Sequence, residues 1–253
     1  MKIGLVQYNP SWESKDENRK KITELINRDF RRSSLLIFPE MTLTGFTMMS
    51  GKFSEPLKGD SFKFFAGIAL KHKIFVAAGL IEEDKGSFFN SLILLNPEGK
   101  LISKYRKIHP FSYSTEDKNY KKGDKIKIAE INGLKTGLSI CYDLRFPELF
   151  RFYAKERVHL IIVIANWPDT RIEHWRTLLK ARAIENQCYV AGVNRVGDDP
   201  KLHYPGFSSI YDPMGKEIIS ISDEEKIAFE DINTKEVEKI RKNLPFLDDI
   251  NLI

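Results

Sequence analysis

A cysteine closing an apolar run, a glutamate following a proline and a lysine inside a basic segment are the residues of this sequence best suited to covalent chemistry. Cys141 lies in LSICYDLRFPE, Glu40 in LLIFPE and Lys107 in KYRKIH. A thiol acts as a nucleophile when a base takes its proton and a positive group steadies the thiolate and the oxyanion that its attack creates. Histidine is the usual base, yet none of His72, His109, His159, His174 and His203 sits in a Cys/His protease context. A carboxylate and an ammonium do the same work if both are desolvated beside the thiol, since burial raises a carboxyl's proton affinity and a nearby ammonium favours the thiolate. Each residue alone has a plainer reading. A glutamate after a strand is mostly solvated, lysines between hairpin and loop are mostly surface charge, and free cysteine is mostly buried filler. What sets Glu40, Lys107 and Cys141 apart is their shared place at strand or hairpin exits, where α/β folds collect functional groups.

The elements that must hold them there are short and rich in β-branched residues. Strands are expected at Ile3–Gln7, Leu35–Phe38, Ile74–Ile81, Ser91–Asn96, Lys135–Ile140, Leu160–Ile164 and Tyr189–Asn194. Helical stripes of core residues run through Ile22–Phe30, Phe62–Ala69, Leu149–Ala154 and Ile172–Leu179. Pro147 and Glu148 suit the first turn of a helix that starts soon after Cys141. Asn96-Pro97-Glu98-Gly99 and Asp212-Pro213-Met214-Gly215 read as tight turns, the second between strands Phe207–Tyr211 and Glu217–Ile221. Hairpins mixed with βαβ units, and no long linker or repeat, give one α/β domain over residues 1–253 with a mixed sheet system.

Composition removes several function classes. The net charge of +5 comes from 40 basic and 35 acidic residues that are interspersed, so neither a nucleic-acid stripe nor a membrane patch stands out. The apolar run in MKIGLVQYNP is too short for a signal peptide, and no stretch approaches the ~18 apolar residues of a membrane span. Cys141 and Cys188 are the two cysteines, both in apolar surroundings. They read as reduced thiols in a cytoplasmic protein, with Cys188 as buried filler. No Cys/His cluster has zinc spacing, so neither metal nor cofactor is expected.

Three segments together resemble the nitrilase superfamily of carbon–nitrogen hydrolases: LLIFPEMTLTGF around Glu40, KYRKIHPF around Lys107 and GLSICYDLRFPELFR around Cys141. They occur in family order, and the resemblance covers nearly the whole chain. HPF after the lysine departs from the more usual HLF. The resemblance implies a four-layer α-β-β-α sandwich, a homodimer formed through helices beside the active site, and a Glu40–Lys107–Cys141 triad. It also implies a second glutamate at Glu116, in STEDKNYKKG, to orient Lys107 or the substrate amide. The stretch ANWPDTRIEHWRTLLKARAIENQCYVAGVNRVG is similar to bacterial ω-amidases, which implies hydrolysis of the terminal amide of 2-oxoglutaramate-like monoamides.

On that reading Glu40 serves as base and then acid, and Cys141 forms a thioester. Lys107 and the backbone N–H of Tyr142 hold the oxyanion, and water completes the hydrolysis. A distal carboxylate calls for arginine. Arg171 is the candidate, with Arg195 near another strand end. Arg145 is closer to the nucleophile but is read as fixing the loop beside Asp143. Trp167, Phe146 and Asn166 are candidates for the pocket wall.

Overall fold

The computed structural model describes residues 1–252 and contains two mixed sheets flanked by helices, a four-layer α-β-β-α sandwich. The first sheet comprises β1 (Lys2–Gln7), β2 (Leu35–Ile37), β3 (Glu55–Pro56), β4 (Phe75–Asp84), β5 (Ser87–Leu95), β6 (Leu101–Arg106) and, at its far edge, β14 (Lys226–Asp231). Its order is β14-β1-β2-β4-β5-β6, with β3 added beside β4. The second comprises β7 (Ile128–Ile131), β8 (Leu134–Ile140), β9 (Leu160–Ala165), β10 (Tyr189–Asn194), β11 (Val196–Asp198), β12 (His203–Tyr211) and β13 (Glu217–Ser222). It runs β11-β12-β10-β9-β8-β7, with β13 on β12. In each sheet the central strands are parallel and the outer ones antiparallel.

Period-two alternation decides which layer each side chain enters. Ile3, Leu5, Leu35, Ile37, Leu92 and Leu94 point between the sheets and join Leu138, Ile140 and Ile162 in one core. Val6, Leu36, Phe38, Val76, Ile93 and Leu95 point outward beneath α1 (Lys15–Asp29) and α3 (Asp60–His72). The second sheet is covered by α5 (Pro147–Lys155) and α6 (Ile172–Asn186), which bring Phe150, Tyr153, Trp175 and Leu179 to the core. The remaining helices are one-turn α2 (Ser50–Phe53) and α4 (Glu116–Asn119), and α7 (Thr234–Asn243), capped by the Asn233 side chain on the Lys235 N–H. Among the described residues no helix is long and apolar enough to cross a membrane.

The expected strands and helices are found within a few residues of their bounds, and both turns close where anticipated, Gly99 N–H on Asn96 O and Gly215 N–H on Asp212 O. Several elements had no counterpart in the sequence reading, among them β7, β14 and α7. β14 pairs antiparallel with β1 from Lys2↔Asp231 to Gln7↔Lys226, so the last strand of the chain seals the edge beside the first. Its KIAFED sequence is short and charged at both ends, which hides a strand stabilised by distant pairing.

Candidate active site

Glu40 leaves β2 on a loop laid directly across β4. Phe38 N–H bonds Ala77 O and Thr42 N–H bonds Gly79 O, continuing the ladder past the strand's end. A Cβ on Gly79 would stand 2.5 Å from the Met41 nitrogen and 2.7 Å from the Pro39 oxygen, so only glycine admits this loop. Lys107 is fixed from the other side: its N–H bonds Asn90 O in β5, and its own carbonyl accepts from Gly123 N–H at 2.7 Å. Cys141 follows β8 directly and opens a short turn, Cys141–Arg145, before Pro147 starts α5. Met41 and Cys141 have φ of +44° and +48°. Left-handed backbone at a side chain with a Cβ costs about 1–3 kcal/mol and persists where the surroundings enforce it. Met41 adjoins Glu40, and Cys141 carries the candidate thiol.

The three exits converge on one buried cluster. Lys107 Nζ donates to Glu40 Oε1 at 2.9 Å and to Glu116 Oε2 at 2.8 Å. The side chains of Glu40 and Glu116 are fully buried, and that of Lys107 nearly so. Glu116, first residue of α4, also accepts the Phe111 N–H at 2.6 Å. Asn90 Nδ2 donates to both carboxylates, at 2.7 Å to Glu40 and 2.8 Å to Glu116. Glu40 Oε2 accepts the Asn166 N–H at 2.9 Å. Cys141 Sγ lies 3.8 Å from Asn166 O.

Burial opposes charge on Lys107, but Glu116 and Glu40 outweigh it and hold the ammonium well above its ordinary range. Burial pushes Glu116 up, with Lys107 pulling it back and Glu40 adding to the rise. Burial also lifts the Cys141 thiol well above its usual value; Glu40 adds to this and Lys107 only partly offsets it. Lys107 is shared between two carboxylates, and its pull on the thiol does not outweigh the burial.

A further buried carboxylate, Asp143, braces the turn at Cys141. Asp143 accepts from Ile140 N–H at 3.0 Å and Tyr105 OH at 2.7 Å, and from His109 N–H at 3.0 Å and His109 Nδ1 at 2.8 Å. It thus ties the Cys141 turn to β6 and to the segment carrying Lys107. Arg145 is not its partner, contrary to the sequence reading. Asp143 is fully buried and filled by those donors, whereas Arg145 turns into the cavity, 4.8 Å over the Trp167 ring, with Nη2 donating to His174 Nδ1 at 3.2 Å.

Cys141 opens onto a cavity of about 800 Å³ whose wall includes Tyr142, Asn166, Trp167, Arg145 and Arg171. Arg171 lies 5.7 Å from the Phe111 ring centre, and neither arginine has a carboxylate partner among the described residues. Trp167 Nε1 donates to Arg171 O at 2.7 Å, which fixes both. Phe146 is not part of this wall; it stacks on His109 at 3.8 Å between ring centres. Arg195 is also elsewhere, fully buried and donating to Asn9 Oδ1 and Asp198 O. Cys188 is buried, its thiol pushed up to about 12 by that burial.

Asn90 was missed by the sequence reading. Its signal was slight: an asparagine in SFFNSLILL, a strand otherwise bound for the core. His109 and Tyr105 were missed as well, because their common partner Asp143 lies 34 or more residues away.

The two sheets with flanking helices agree with the comparisons. The profile of the Carbon-nitrogen hydrolase family matches residues 2–242, and the chain belongs to that family, a hydrolase acting on carbon–nitrogen bonds. It is 32% identical over 250 residues to the 2-oxoglutaramate amidase of Bacillus subtilis, covering 98% of this chain and 96% of that one. The 2-oxoglutaramate amidase of Paenarthrobacter nicotinovorans is 34% identical over 251 residues, covering 94% and 85%. Among solved structures, XC1258 of Xanthomonas campestris, a CN-hydrolase superfamily protein with an arsenic adduct in its active site, superposes with a TM-score of 0.95. Identity is 31%, over 100% of this chain and 98% of that one.

Proposed function

We propose that the protein is an ω-amidase. On this reading it hydrolyses the terminal amide of a small dicarboxylic acid monoamide, of the 2-oxoglutaramate or succinamate kind, to carboxylate and ammonia. The observation that carries the reading is one cavity shared by Cys141, backed by Glu40, Lys107 and Glu116, and by two arginines without acid partners. The similarity to 2-oxoglutaramate amidases points the same way.

Catalysis starts as Glu40 takes the Cys141 proton and sulfur attacks the amide carbon. The carbonyl electrons move to oxygen, which Lys107 and the Tyr142 N–H stabilise; one such donor is worth about 3–4 kcal/mol in the transition state. The C–N bond breaks as Glu40 returns the proton to nitrogen, and ammonia leaves a thioester on Cys141. Glu40 then activates water, which releases the acid and restores the thiol. Glu116 orients Lys107 through both of its oxygens. Arg171, assisted by Arg145, receives the distal carboxylate, and Trp167 with Asn166 shapes the wall. The reaction needs only the amide and water, with no cofactor and no nucleic-acid or membrane partner. The chain works as one cytoplasmic catalytic domain in a homodimer across α5 and α6, where Phe152 and Ile184 stand exposed.

Ammonia release from 2-oxoglutaramate and succinamate, set against N-carbamoyl-β-alanine and a simple nitrile, tests the reading. Turnover of the first two should dominate. Preference for the carbamoyl compound or the nitrile contradicts it.

A further inference from the structure

We infer that Asn166 reads the nitrogen of the scissile bond, its Oδ1 accepting an N–H of the substrate and making the site selective for primary amides over esters of the same acid. This rests on the amidase reading above. Asn166 follows β9 and is 5% exposed. Its Nδ2 donates to Glu40 O at 2.8 Å and to Glu40 Oε2 at 3.4 Å. Both neighbours on that side are acceptors, so the amide nitrogen must face them; the reverse orientation would set Oδ1 against two oxygens. Oδ1 is thereby turned from Glu40, and it is buried without a partner. Buried acceptors are nearly always paired, and a lone one on a residue that lines the cavity beside Cys141 suits a donor that comes with the substrate as the side chain shifts to meet it. Asn90 Oδ1 is also unpartnered, but Asn90 is not on that wall.

The chemistry selects the donor. A primary amide carries two N–H groups, whereas an ester or nitrile carries none at the leaving atom. The nitrogen keeps both hydrogens when the S–C bond forms, and one of them can stay on Asn166 Oδ1. Its lone pair is then aimed at the proton on Glu40, the group that Asn166 Nδ2 and N–H already hold. The C–N bond breaks as that proton transfers, and ammonia departs. An ester's leaving oxygen would present lone pairs to Oδ1 instead. A site built to bond a substrate N–H discriminates strongly against analogues without one.

The test compares kcat/KM for succinamate and monomethyl succinate in the wild type and Asn166→Ala. Loss of support to Glu40 lowers both rates alike, so the ratio is the readout. It should fall about 5- to 10-fold, the value of one ordinary hydrogen bond. An unchanged ratio overturns the inference while leaving the amidase reading intact. A second measurement retains Asn166: calorimetry on Cys141→Ala should show succinamate binding about tenfold tighter than monomethyl succinate, and equal affinity counts against the inference. A wild type that releases ammonia from no amide overturns the amidase reading and this inference together.

Discussion

The segment Lys104–Lys107 carries two charge networks, one on each face of the same strand and its exit. On one face Lys104 and Arg106 meet Glu82 and Asp84, with Arg106 reaching Glu82 at 2.6 Å and Asp84 at 2.6 Å. Two cations face two carboxylates, and the cations stay about a quarter exposed. On the other face Tyr105 braces Asp143, and Lys107 meets Glu40 and Glu116 with all three charges buried. Here one cation serves two carboxylates beside the Cys141 thiol. The two faces treat a carboxylate in opposite ways. Burial works against charge on Glu82, but Arg106 and Lys104 overcome it and hold the group below its usual range. Burial wins at Glu116, which is raised. Two cations are enough to hold a buried carboxylate low on the outer face, and one cation shared by two carboxylates is not enough on the inner face. The same residue types in KYRK therefore yield a partly exposed brace on one side and the buried candidate site on the other.

The largest effect should follow from unbalancing the inner face further. Lys107→Leu leaves two buried carboxylates sharing Asn90, so kcat should drop by at least about 100-fold and stability by about 3–5 kcal/mol, read from steady-state rates and denaturant unfolding. Glu116→Gln keeps the shape and removes one charge. With Lys107 still paired to Glu40, kcat should fall about 10- to 100-fold with little loss of stability; wild-type rates would show that Glu116 does not orient the lysine. Arg171→Ala should raise KM for succinamate about tenfold or more, the worth of a charge-assisted hydrogen bond, while kcat moves little. A matching loss with propionamide, which has no carboxylate, would remove Arg171 from that role. On the outer face, Glu82→Gln should cost about 1–3 kcal/mol of stability and leave kcat/KM within about twofold; a large rate loss would erase the contrast between the faces.

Alkaline pH gives the smallest and most specific signal. Folding raises the Cys141 thiol above its ordinary 9.0 and the Lys107 ammonium above its ordinary 10.5. The unfolded chain therefore loses those protons first, and the stability both groups contribute is present below pH 9.0 and declines as pH climbs beyond it. Thermal unfolding of the wild type should show that decline. Cys141→Ala should show a shallower one just above pH 9.0, and identical slopes would mean that the thiol is not held protonated.

Much of this was legible in the sequence, for identifiable reasons. Glu40 and Cys141 follow strongly apolar strands and Lys107 leaves a hairpin, so their shared place at such exits singled them out as candidates. Glu116 came from the resemblance, since nothing in STEDKNYKKG signals a carboxylate folded into a one-turn helix and buried. Asn90, and the Asp143 contacts with Tyr105 and His109, depend on strand register and on segments far apart in the chain. Arg145 was assigned to Asp143 by proximity in sequence, but on a tight turn adjacent residues face different ways. β14 and α7 were lost because their stability lies in pairing and packing with distant elements rather than in their own residues.

The central claim is that Cys141 carries the acyl group during turnover. Intact-protein mass spectrometry on enzyme quenched in acid while hydrolysing succinamate tests it most directly. A succinyl adduct should appear on the peptide containing Cys141, vanish as substrate is exhausted, and be absent from Cys141→Ala, which should not release ammonia. Ammonia release by Cys141→Ala, or steady turnover with the adduct on another residue, would contradict the account.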